Sequence, residues 1–363
     1  MELTVHRDNL ERALTLVERV TSKNSSLPIL NNILLKTGGG RLIICATNLE
    51  IAATVTIGAK VKSEGSIAVP AHVLTDVIRS ASSDTVLLKV VKQTLTAEVG
   101  QYQTSILCFD PTEYPIIPTT TGGVSVTIPT TILHTLCTEV ADSIALSDAR
   151  PELAGAYLHI DSKGIVMTAT DGFRLTEHHI MASQSTNGAI IIPRNTIAEM
   201  IRSINNTTGD ATIQFSENQC AITIDDYQLT SRLIDGKYPD YQKVIPEQAL
   251  SRALVSRSEL ENAIKVAALF SSSISDVKLE CSEKRITVSG KNSTRGEGKA
   301  SVEVNLKGEP FEISLNYHYL LDGLKVIPDD KVVLEFTGKG SPFIFRPTNE
   351  QKFVYLIMPL RGS

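Results

Sequence analysis

The sequence predicts an α+β protein made of three repeated domains, each with two helices packed on antiparallel sheets. Two observations predict this fold. The chain has 363 residues, too many for one ordinary domain, and similar stretches recur along it at intervals of domain size. Within each stretch, helical spacing of apolar residues alternates with short runs rich in Val, Ile and Thr, which is typical of sheets with helices on one side.

The strongest repeat surrounds a helical pattern that follows a proline. Residues 69–80 read V-P-A-H-V-L-T-D-V-I-R-S, and residues 192–203 read I-P-R-N-T-I-A-E-M-I-R-S. A weaker third copy at residues 315–325 follows at the same interval, and other elements keep a similar step. The predicted domains are 1–120, 124–247 and 248–363. The alternative is a shared order of helices and strands without a true internal repeat.

Periodicity places the elements within each copy. Apolar residues at positions i, i+3, i+4 and i+7 predict helices, and β-branched runs bounded by turn residues predict strands. The predicted helices are 7–20, 71–81, 130–141, 194–204, 257–269 and 317–325. The glycines at 38–40 predict a hairpin turn between two of the strands. Further predicted strands are 95–99, 103–108, 211–215, 219–224 and 228–233.

Composition argues against several classes of protein. The five cysteines lie far apart, which argues against a disulfide framework and against C-x-x-C metal spacing. No apolar run approaches the ~18–20 residues of a membrane span, and the first residues lack the apolar core of a secretory signal. We therefore expect a cytoplasmic protein. The net charge of −5 does not indicate a nucleic-acid partner, so a DNA-binding face requires charges segregated by surface.

Motifs typical of catalysis are missing from the sequence. Walker A, G-x-G-x-x-G, H-E-x-x-H and G-x-S-x-G spacings do not occur in it. His178 and His179 are adjacent in a predicted strand, so their side chains point to opposite faces and suit a joint metal site poorly. We therefore expect no metal, no cofactor and no active site. The competing interpretations are a hydrolase or isomerase on an α+β scaffold, and a repetitive adhesion or scaffold protein.

Four segments of the sequence carry a resemblance to a known family. They are L-P-I-L-N-N at 27–32, T-A-T-D-G-F-R-L at 168–175, D-G-K-Y-P-D-Y at 235–241 and Y-L-I-M-P-L-R at 355–361. With the threefold repeat, they resemble the bacterial DNA polymerase III beta subunit, or sliding clamp. The resemblance implies a non-catalytic homodimer whose two chains join head to tail, so that six clamp-type domains form a ring around duplex DNA. It also implies that the ring tethers the replicative polymerase and other factors and confers processivity.

The resemblance implies an inner wall that contacts double-stranded DNA without reading its sequence. The implied DNA-binding residues are Lys23, His72, Arg79, Ser147, Arg194 and Arg202. His72 and Ser147 stand where other members of the family carry Arg and Gln, so individual contacts are expected to differ. The alternative interpretation of any one arginine is an ordinary solvated helix face.

The resemblance also implies two protein-binding surfaces. One is an apolar pocket for short peptide motifs of the polymerase, the clamp loader and repair factors. Its implied residues are Leu153, Thr170, Gly172, Phe173, Arg174, Leu175, Pro239, Val244, Tyr319, Leu356, Met358, Pro359, Leu360 and Arg361. The other surface is the dimer interface. Its implied residues are Leu269, Phe270, Ile106 and Thr104. The alternative interpretation of Leu153, Val244 and Leu356 is ordinary core packing, and that of Leu269 is ordinary burial at a helix end.

Overall fold

The computed structural model describes residues 1–21, 27–120, 122–147, 149–181, 186–205, 207–349 and 352–360. The α-helices in these ranges are α1 Arg7–Glu18, α2 Ala71–Ser80, α3 Thr130–Ala141, α4 Arg194–Ile204, α5 Arg257–Ala268 and α6 Tyr317–Val326. Short 3-10 helices occur at Pro28–Asn31, Pro111–Glu113, Pro151–Leu153 and Tyr241–Val244.

The described strands fall into three consecutive sets. The first set is β1 Glu2–His6, β2 Asn32–Gly38, β3 Arg41–Thr47, β4 Ile51–Gly58, β5 Lys60–Ser63, β6 Ser66–Pro70, β7 Thr85–Val91, β8 Thr94–Val99 and β9 Tyr102–Leu107. The second is β10 Val124–Pro129, β11 Gly155–Asp161, β12 Gly164–Thr170, β13 Arg174–Met181, β14 Gly188–Pro193, β15 Asp210–Phe215, β16 Gln219–Ile224 and β17 Tyr227–Arg232. The third is β18 Ser251–Ser256, β19 Asp276–Cys281, β20 Arg285–Asn292, β21 Gly296–Gly308, β22 Phe311–Asn316, β23 Lys331–Phe336, β24 Phe343–Pro347 and β25 Phe353–Ile357.

Helices and strands follow the same order three times along the chain. In each copy a strand leads into a helix, a group of strands follows, and a second helix leads into three final strands. The first copy differs by the additional short strand β5. The predicted fold class, three repeated α+β domains with two helices each, is therefore confirmed.

The predicted helices are all present, and their ends differ from prediction by two residues at most. The largest difference is at α1, which was predicted to reach residue 20 and ends at Glu18. Thr21 donates both its backbone N–H, at 3.1 Å, and its hydroxyl, at 2.7 Å, to the carbonyl oxygen of Glu18. These bonds satisfy the carbonyl oxygen of Glu18 at the end of α1. The helix therefore ends before the apolar pattern in the sequence does.

The first compact unit consists of Met1–Leu133 and Glu199–Leu233. It contains a five-stranded sheet of order β5-β1-β7-β8-β9 and an eight-stranded sheet of order β10-β15-β16-β17-β4-β3-β2-β6. Helix α1 packs on α2 and on strands β3 and β4. Its buried face is made by Leu10, Ala13, Leu14 and Val17, the residues whose helical spacing predicted the helix.

The second compact unit consists of His134–Ala198 and Ile234–Ser363. Its strands form one twelve-stranded sheet of order β14-β11-β12-β13-β25-β24-β23-β18-β21-β20-β19-β22. Helix α5 packs on α6 and on strands β20 and β21. The core beneath these helices is rich in aromatic rings, with Phe311 stacked on Phe336 and Phe343 close to Phe345.

Strand pairing joins consecutive sequence repeats into continuous sheets. The last strand of the second repeat, β17, pairs antiparallel with β4 of the first, so that Tyr227 lies opposite Val55. The last strand of the third repeat, β25, pairs in the same way with β13 of the second, so that Leu356 lies opposite Leu175. Backbone hydrogen bonds therefore connect each sequence repeat to the next. For this reason the two compact units do not coincide with single repeats.

Candidate functional site

An apolar pocket of about 330 Å³ opens in the second compact unit where β12, β13 and β25 meet two 3-10 helices. Its lining residues are Arg150, Leu153, Thr170, Gly172, Arg174, Leu175, Pro239, Asp240, Tyr241, Val244, Leu356 and Met358. Leu175 and Leu356 face each other across the β13–β25 pair, so the strand pairing that joins two repeats also builds the pocket floor. A concave apolar site with a few polar groups at its edge is typical of ligand binding.

The turn between β12 and β13 forms one wall of the pocket. The Thr170 hydroxyl donates to the Arg174 carbonyl at 2.6 Å and accepts from the Gly172 N–H at 3.1 Å. The Asp171 carboxylate accepts from the backbone N–H groups of Phe173 and Arg174, both at 2.9 Å. Gly172 has a φ of 89°, which only glycine adopts without strain. The D-G pair in the sequence therefore fixes the shape of this wall.

Arg174 is held on several sides and is only 12% exposed. Its Nε donates to Asp171 at 3.1 Å, and its NH1 donates to Asp322 on α6. The guanidinium also lies over the Tyr319 ring, 4.5 Å from the ring centroid. Burial alone lowers the pKa of Arg174, but Tyr355 and the two carboxylates outweigh burial and hold the pKa above its ordinary value. The cation is therefore permanently charged and already neutralised within the protein.

Tyrosine rings support the pocket from below. Tyr157 stacks on Tyr238 with centroids 4.8 Å apart, and Tyr241 meets both rings edge-on. Burial raises the pKa of Tyr241 above its ordinary value, and the neighbouring Glu177 carboxylate raises it further. The Tyr241 phenol is therefore neutral at physiological pH, and this rigid aromatic layer keeps the lining apolar.

The pocket brings together most of the residues that the sequence resemblance implied. Those found in the lining are Leu153, Thr170, Gly172, Arg174, Leu175, Pro239, Val244, Leu356 and Met358. Tyr319 lies against Arg174, and Phe173 is 62% exposed at the apex of the turn. Pro359 lines a different pocket, and the backbone N–H of Leu360 donates to the Ser314 carbonyl at 3.0 Å.

Arg361 lies outside the described residues. Three lining residues were not predicted from the sequence: Arg150, Asp240 and Tyr241. Asp240 and Tyr241 belong to the segment D-G-K-Y-P-D-Y that carried part of the resemblance, so this signal could have found them. Arg150 was not indicated by any motif used in the sequence analysis.

Comparison with known proteins places the whole chain in one family. Family models of the DNA polymerase III beta subunit match in order: the N-terminal domain at residues 1–118, the central domain at 127–240 and the C-terminal domain at 242–361. The chain belongs to the DNA polymerase III beta subunit family. The family resemblance predicted from the sequence is confirmed, and the members compared are sliding clamps.

Individual clamps match over nearly their full length. The beta sliding clamps of Pseudomonas putida and Staphylococcus epidermidis are 26% and 27% identical, over 99% of this chain and at least 99% of theirs. The crystal structure of the Pseudomonas aeruginosa DnaN sliding clamp bound to griselimycin has a TM-score of 0.95 at 27% identity, covering 99% of both chains. The C. crescentus beta sliding clamp has a TM-score of 0.93 at 30% identity, again covering 99% of both.

Two DNA-binding residues implied by the family lie beside carboxylates of the first unit. The His72 imidazole Nδ1 contacts the Glu18 carboxylate, and the His72 side chain is 52% exposed. Arg79, also 52% exposed, lies 3.7 Å from Asp76 and 3.9 Å from Glu11. Both side chains reach solvent, and the carboxylates beside Arg79 offset part of its positive charge.

The remaining implied DNA-binding residues have varied surroundings. Arg202 is 56% exposed and pairs with Glu199 at 3.0 Å. Arg194 is half-buried and donates to a backbone carbonyl at 3.5 Å, and Ser147 is exposed in the loop after α3. Lys23 lies outside the described residues. Their contact with DNA stays a prediction.

The implied dimer residues of the first unit lie on β9, the outermost strand of the five-stranded sheet. Thr104 lines a surface pocket of about 340 Å³ beside Tyr102 and helix α2. Ile106 lies two residues further along the same face of β9 and is only 4% exposed, so its side chain packs in its own domain. Leu107, which the sequence analysis did not select, is 79% exposed on the outer side. Any contact through Ile106 is therefore limited to its backbone.

The implied dimer residues of the second unit follow helix α5. Leu269 is 66% exposed. Phe270 instead lies over a notch formed by Gly290 and Gly298, which face each other in the β20–β21 pair. A Cβ atom on Gly298 would lie 2.3 Å from the Phe270 ring, so the notch exists only because both strands carry glycine there. Leu269 is the residue of this pair that is open to a partner.

Neither a cluster of metal-binding side chains nor a membrane-spanning helix is found in the described residues. No group of three or more His, Cys, Asp or Glu side chains that could hold a metal ion occurs in the ranges that the structure describes. His178 is buried and its Nδ1 lies 2.5 Å from Glu139 Oε2, while His179 follows on the same strand. Among the helices described, none is long and apolar enough to cross a membrane.

Proposed function

We propose that two copies of this chain join head to tail as a ring around duplex DNA, which tethers the replicative polymerase and has no active site of its own. The proposed ring has six clamp domains, three from each copy. Their proposed bounds are 1–120, 124–247 and 248–363. The proposal rests on the strand pairing that joins each domain to the next, which occurs twice in the chain. Among the described strands, this pairing leaves one free strand edge in the first domain and a complementary free edge in the third. The proposed location is the cytoplasm.

The two unused edges are equivalent to those already paired within the chain. β17 pairs with β4, and β25 pairs with β13, so the last strand of each later repeat meets an inner strand of the repeat before it. By the same rule, β9 would meet β21 of the partner chain. In the described strands β9 pairs only with β8, and residues 296–303 of β21 pair only with β20. Joining these edges in both directions would close a ring and leave no edge at the junctions.

Weak DNA contacts suit such a ring. Arg79 and Arg202 each lie beside acidic side chains, so each presents less than a full positive charge to a phosphate. A protein that encloses its DNA does not need tight binding to remain on it, and sequence-neutral contacts of low affinity allow sliding. The paired arginines therefore support a topological hold on DNA.

Peptide binding is the proposed role of the pocket between β13, β25 and the 3-10 helices. Its apolar lining accepts hydrophobic side chains, and the ordered turn at Gly172 gives it a preformed shape. We propose that short motifs of the replicative polymerase, the clamp loader and repair factors bind here. Because one pocket lies on each chain, a ring would carry two such sites.

Retention on circular DNA tests the ring. The protein is loaded by its cognate clamp loader with ATP onto a nicked circle, and bound protein is separated by gel filtration at moderate salt. We expect retention on the circle, and loss once a restriction enzyme linearises it. Equal retention on both forms, or a monomer by light scattering that never loads, would contradict the ring.

A peptide scan tests the pocket. Overlapping peptides of the cognate replicative polymerase are probed with the wild-type protein and with Val244→Asp, which places a charge in the pocket at a residue 44% exposed. Val91→Asp makes the same change at a residue 57% exposed outside the pocket and is the control. We expect one or a few polymerase peptides to bind the wild type and Val91→Asp, and to lose binding to Val244→Asp.

A further inference from the structure

Asp322 shapes the peptide pocket without lining it. It lies on α6 in the third repeat, whereas Arg174 begins β13 in the second. The Asp322 carboxylate accepts from Arg174 NH1 and is one third exposed. Of the two carboxylates that hold Arg174, only Asp322 comes from outside the β12–β13 turn.

The contacts of Arg174 determine what the pocket wall offers to a ligand. One edge of the guanidinium donates a hydrogen bond to Asp171 and another donates one to Asp322. One face of the guanidinium lies on the Tyr319 ring. Two carboxylates around one guanidinium give this group of three side chains a net charge of −1. Arg174 therefore lines the pocket but does not offer its cation to an acidic ligand. Arg150, the other arginine of the lining, lies 3.1 Å from the Glu152 carboxylate.

We infer that Asp322 is a positioning and specificity residue: it holds Arg174 against Tyr319, so that the pocket selects uncharged apolar side chains over acidic ones. The inference rests on the proposed peptide function. Without Asp322, Arg174 keeps its short-range bond to Asp171 but loses its only charged partner on α6 among the described residues. Its long side chain then turns towards the pocket, where it occupies part of the apolar volume and attracts a carboxylate.

The substitution Asp322→Asn tests this inference. The probe is the polymerase peptide that binds the wild type most tightly in the scan, made as two analogues with either Asn or Asp beside its apolar anchor. Fluorescence anisotropy gives the dissociation constant of each analogue. We expect the wild type to prefer the Asn analogue, and Asp322→Asn to bind it roughly tenfold more weakly while the preference shifts by about tenfold towards Asp.

Asp142→Asn is the matched control. It removes the same charge and also breaks an ion pair, since Asp142 lies 2.9 Å from Lys325, but neither residue lines the pocket. We expect both dissociation constants to stay at wild-type values in this variant. Asp322→Glu keeps the carboxylate and should restore the preference for the Asn analogue. Circular dichroism melts of all variants separate loss of fold from loss of binding.

Each outcome bears on the inference. A shifted Asn-to-Asp preference in Asp322→Asn alone supports it, since a purely structural defect would weaken both analogues equally. Unchanged preference in Asp322→Asn, or an equal shift in Asp142→Asn, overturns it while the peptide function stands. If the wild type binds no polymerase peptide, the proposed peptide function fails first and the inference falls with it.

Discussion

The carboxylate of Glu199 is almost completely buried and accepts a hydrogen bond from Arg202 at 3.0 Å. Its second oxygen has no hydrogen-bond partner among the described residues, and neither has the buried hydroxyl of Tyr227. Burial raises the pKa of Glu199 above the ordinary 4.5, although Arg202 and Arg19 act to lower it. Here desolvation exceeds the attraction of two cations, so the ionised form of Glu199 is unfavourable in the folded protein.

Glu199→Gln is therefore expected to raise thermal stability at neutral pH. A carboxyl whose pKa is raised on folding contributes stability below its unfolded value near 4.5, and that contribution is lost as the pH rises through the folded value. Glutamine keeps the shape and is never charged. Melting curves from pH 4.5 to 8 should show the variant above the wild type at pH 7.5, with the gap closing towards pH 4.5.

The exposed Glu64→Gln is the control for this prediction and should show no such pH-dependent gap. A lower melting temperature for Glu199→Gln at pH 7.5 would contradict the argument. It would mean that the bond from Arg202 outweighs the cost of burying the charge.

Gly298→Ala is expected to destabilise the fold by about 1–3 kcal/mol, the usual range for overpacking a filled site. The new Cβ would lie 2.3 Å from the Phe270 ring, which must move. Urea unfolding measures the decrease in the free energy of unfolding. The double variant with Phe270→Ala should recover part of the cost of the Gly298 change, because the clashing ring is gone.

Gly58→Ala is the control for steric cost, since a Cβ at Gly58 meets nothing within 4 Å. Additive losses for Gly298→Ala and Phe270→Ala would show that the two residues do not interact. Light scattering of the same variants also reports whether moving Phe270 weakens dimerisation.

Sequence periodicity predicted the helices and the repeats because it records which face of an element is buried. The stripe of Leu10, Leu14 and Val17 shows that α1 has a core face. It does not show what that face packs against. The pairing of β17 with β4, and the bond from Arg174 to Asp322 148 residues away, depend on how separate repeats dock. Neither interaction leaves a periodic signal.

The family resemblance implied much of the pocket, and part of the pocket is a turn built from consecutive residues. The D-G pair at Asp171 and Gly172 identifies a turn that requires positive φ. Arg150 was missed because it reaches the pocket from a separate segment. Ile106 was implied as a dimer residue by the family resemblance, and its side chain lies on the buried face of β9.

Substitutions at Gly172 should weaken peptide binding in a graded series. A Cβ there meets nothing within 4 Å, so the cost is only the backbone conformation at φ 89°. Asn tolerates positive φ best, Ala less and the β-branched Val least, with about 1–2 kcal/mol for Ala. Peptide affinity should fall in the order Gly, Asn, Ala, Val. Equal affinity across the series would show that the turn does not shape the pocket.

The cysteines should report opening of the folded chain. All five are free and buried. Burial raises the pKa of Cys137 and of Cys220 to about 12, and of Cys281 to about 11, so almost none of these thiols is ionised at pH 8. Ellman's reagent at pH 8 should therefore react slowly with the native protein, and with five thiols after guanidinium is added.

The order of reaction in the native protein gives a sharper test. Cys45 and Cys108 are each 8% exposed, whereas Cys137 and Cys220 are completely buried. Cys45 and Cys108 should therefore react first. Cys45→Ala and Cys108→Ala should remove the fast phase and leave a slow phase whose rate follows unfolding. Rapid reaction of Cys137 in this double variant would contradict the packing described here, because modification would then require the core beneath α3 to open without global unfolding.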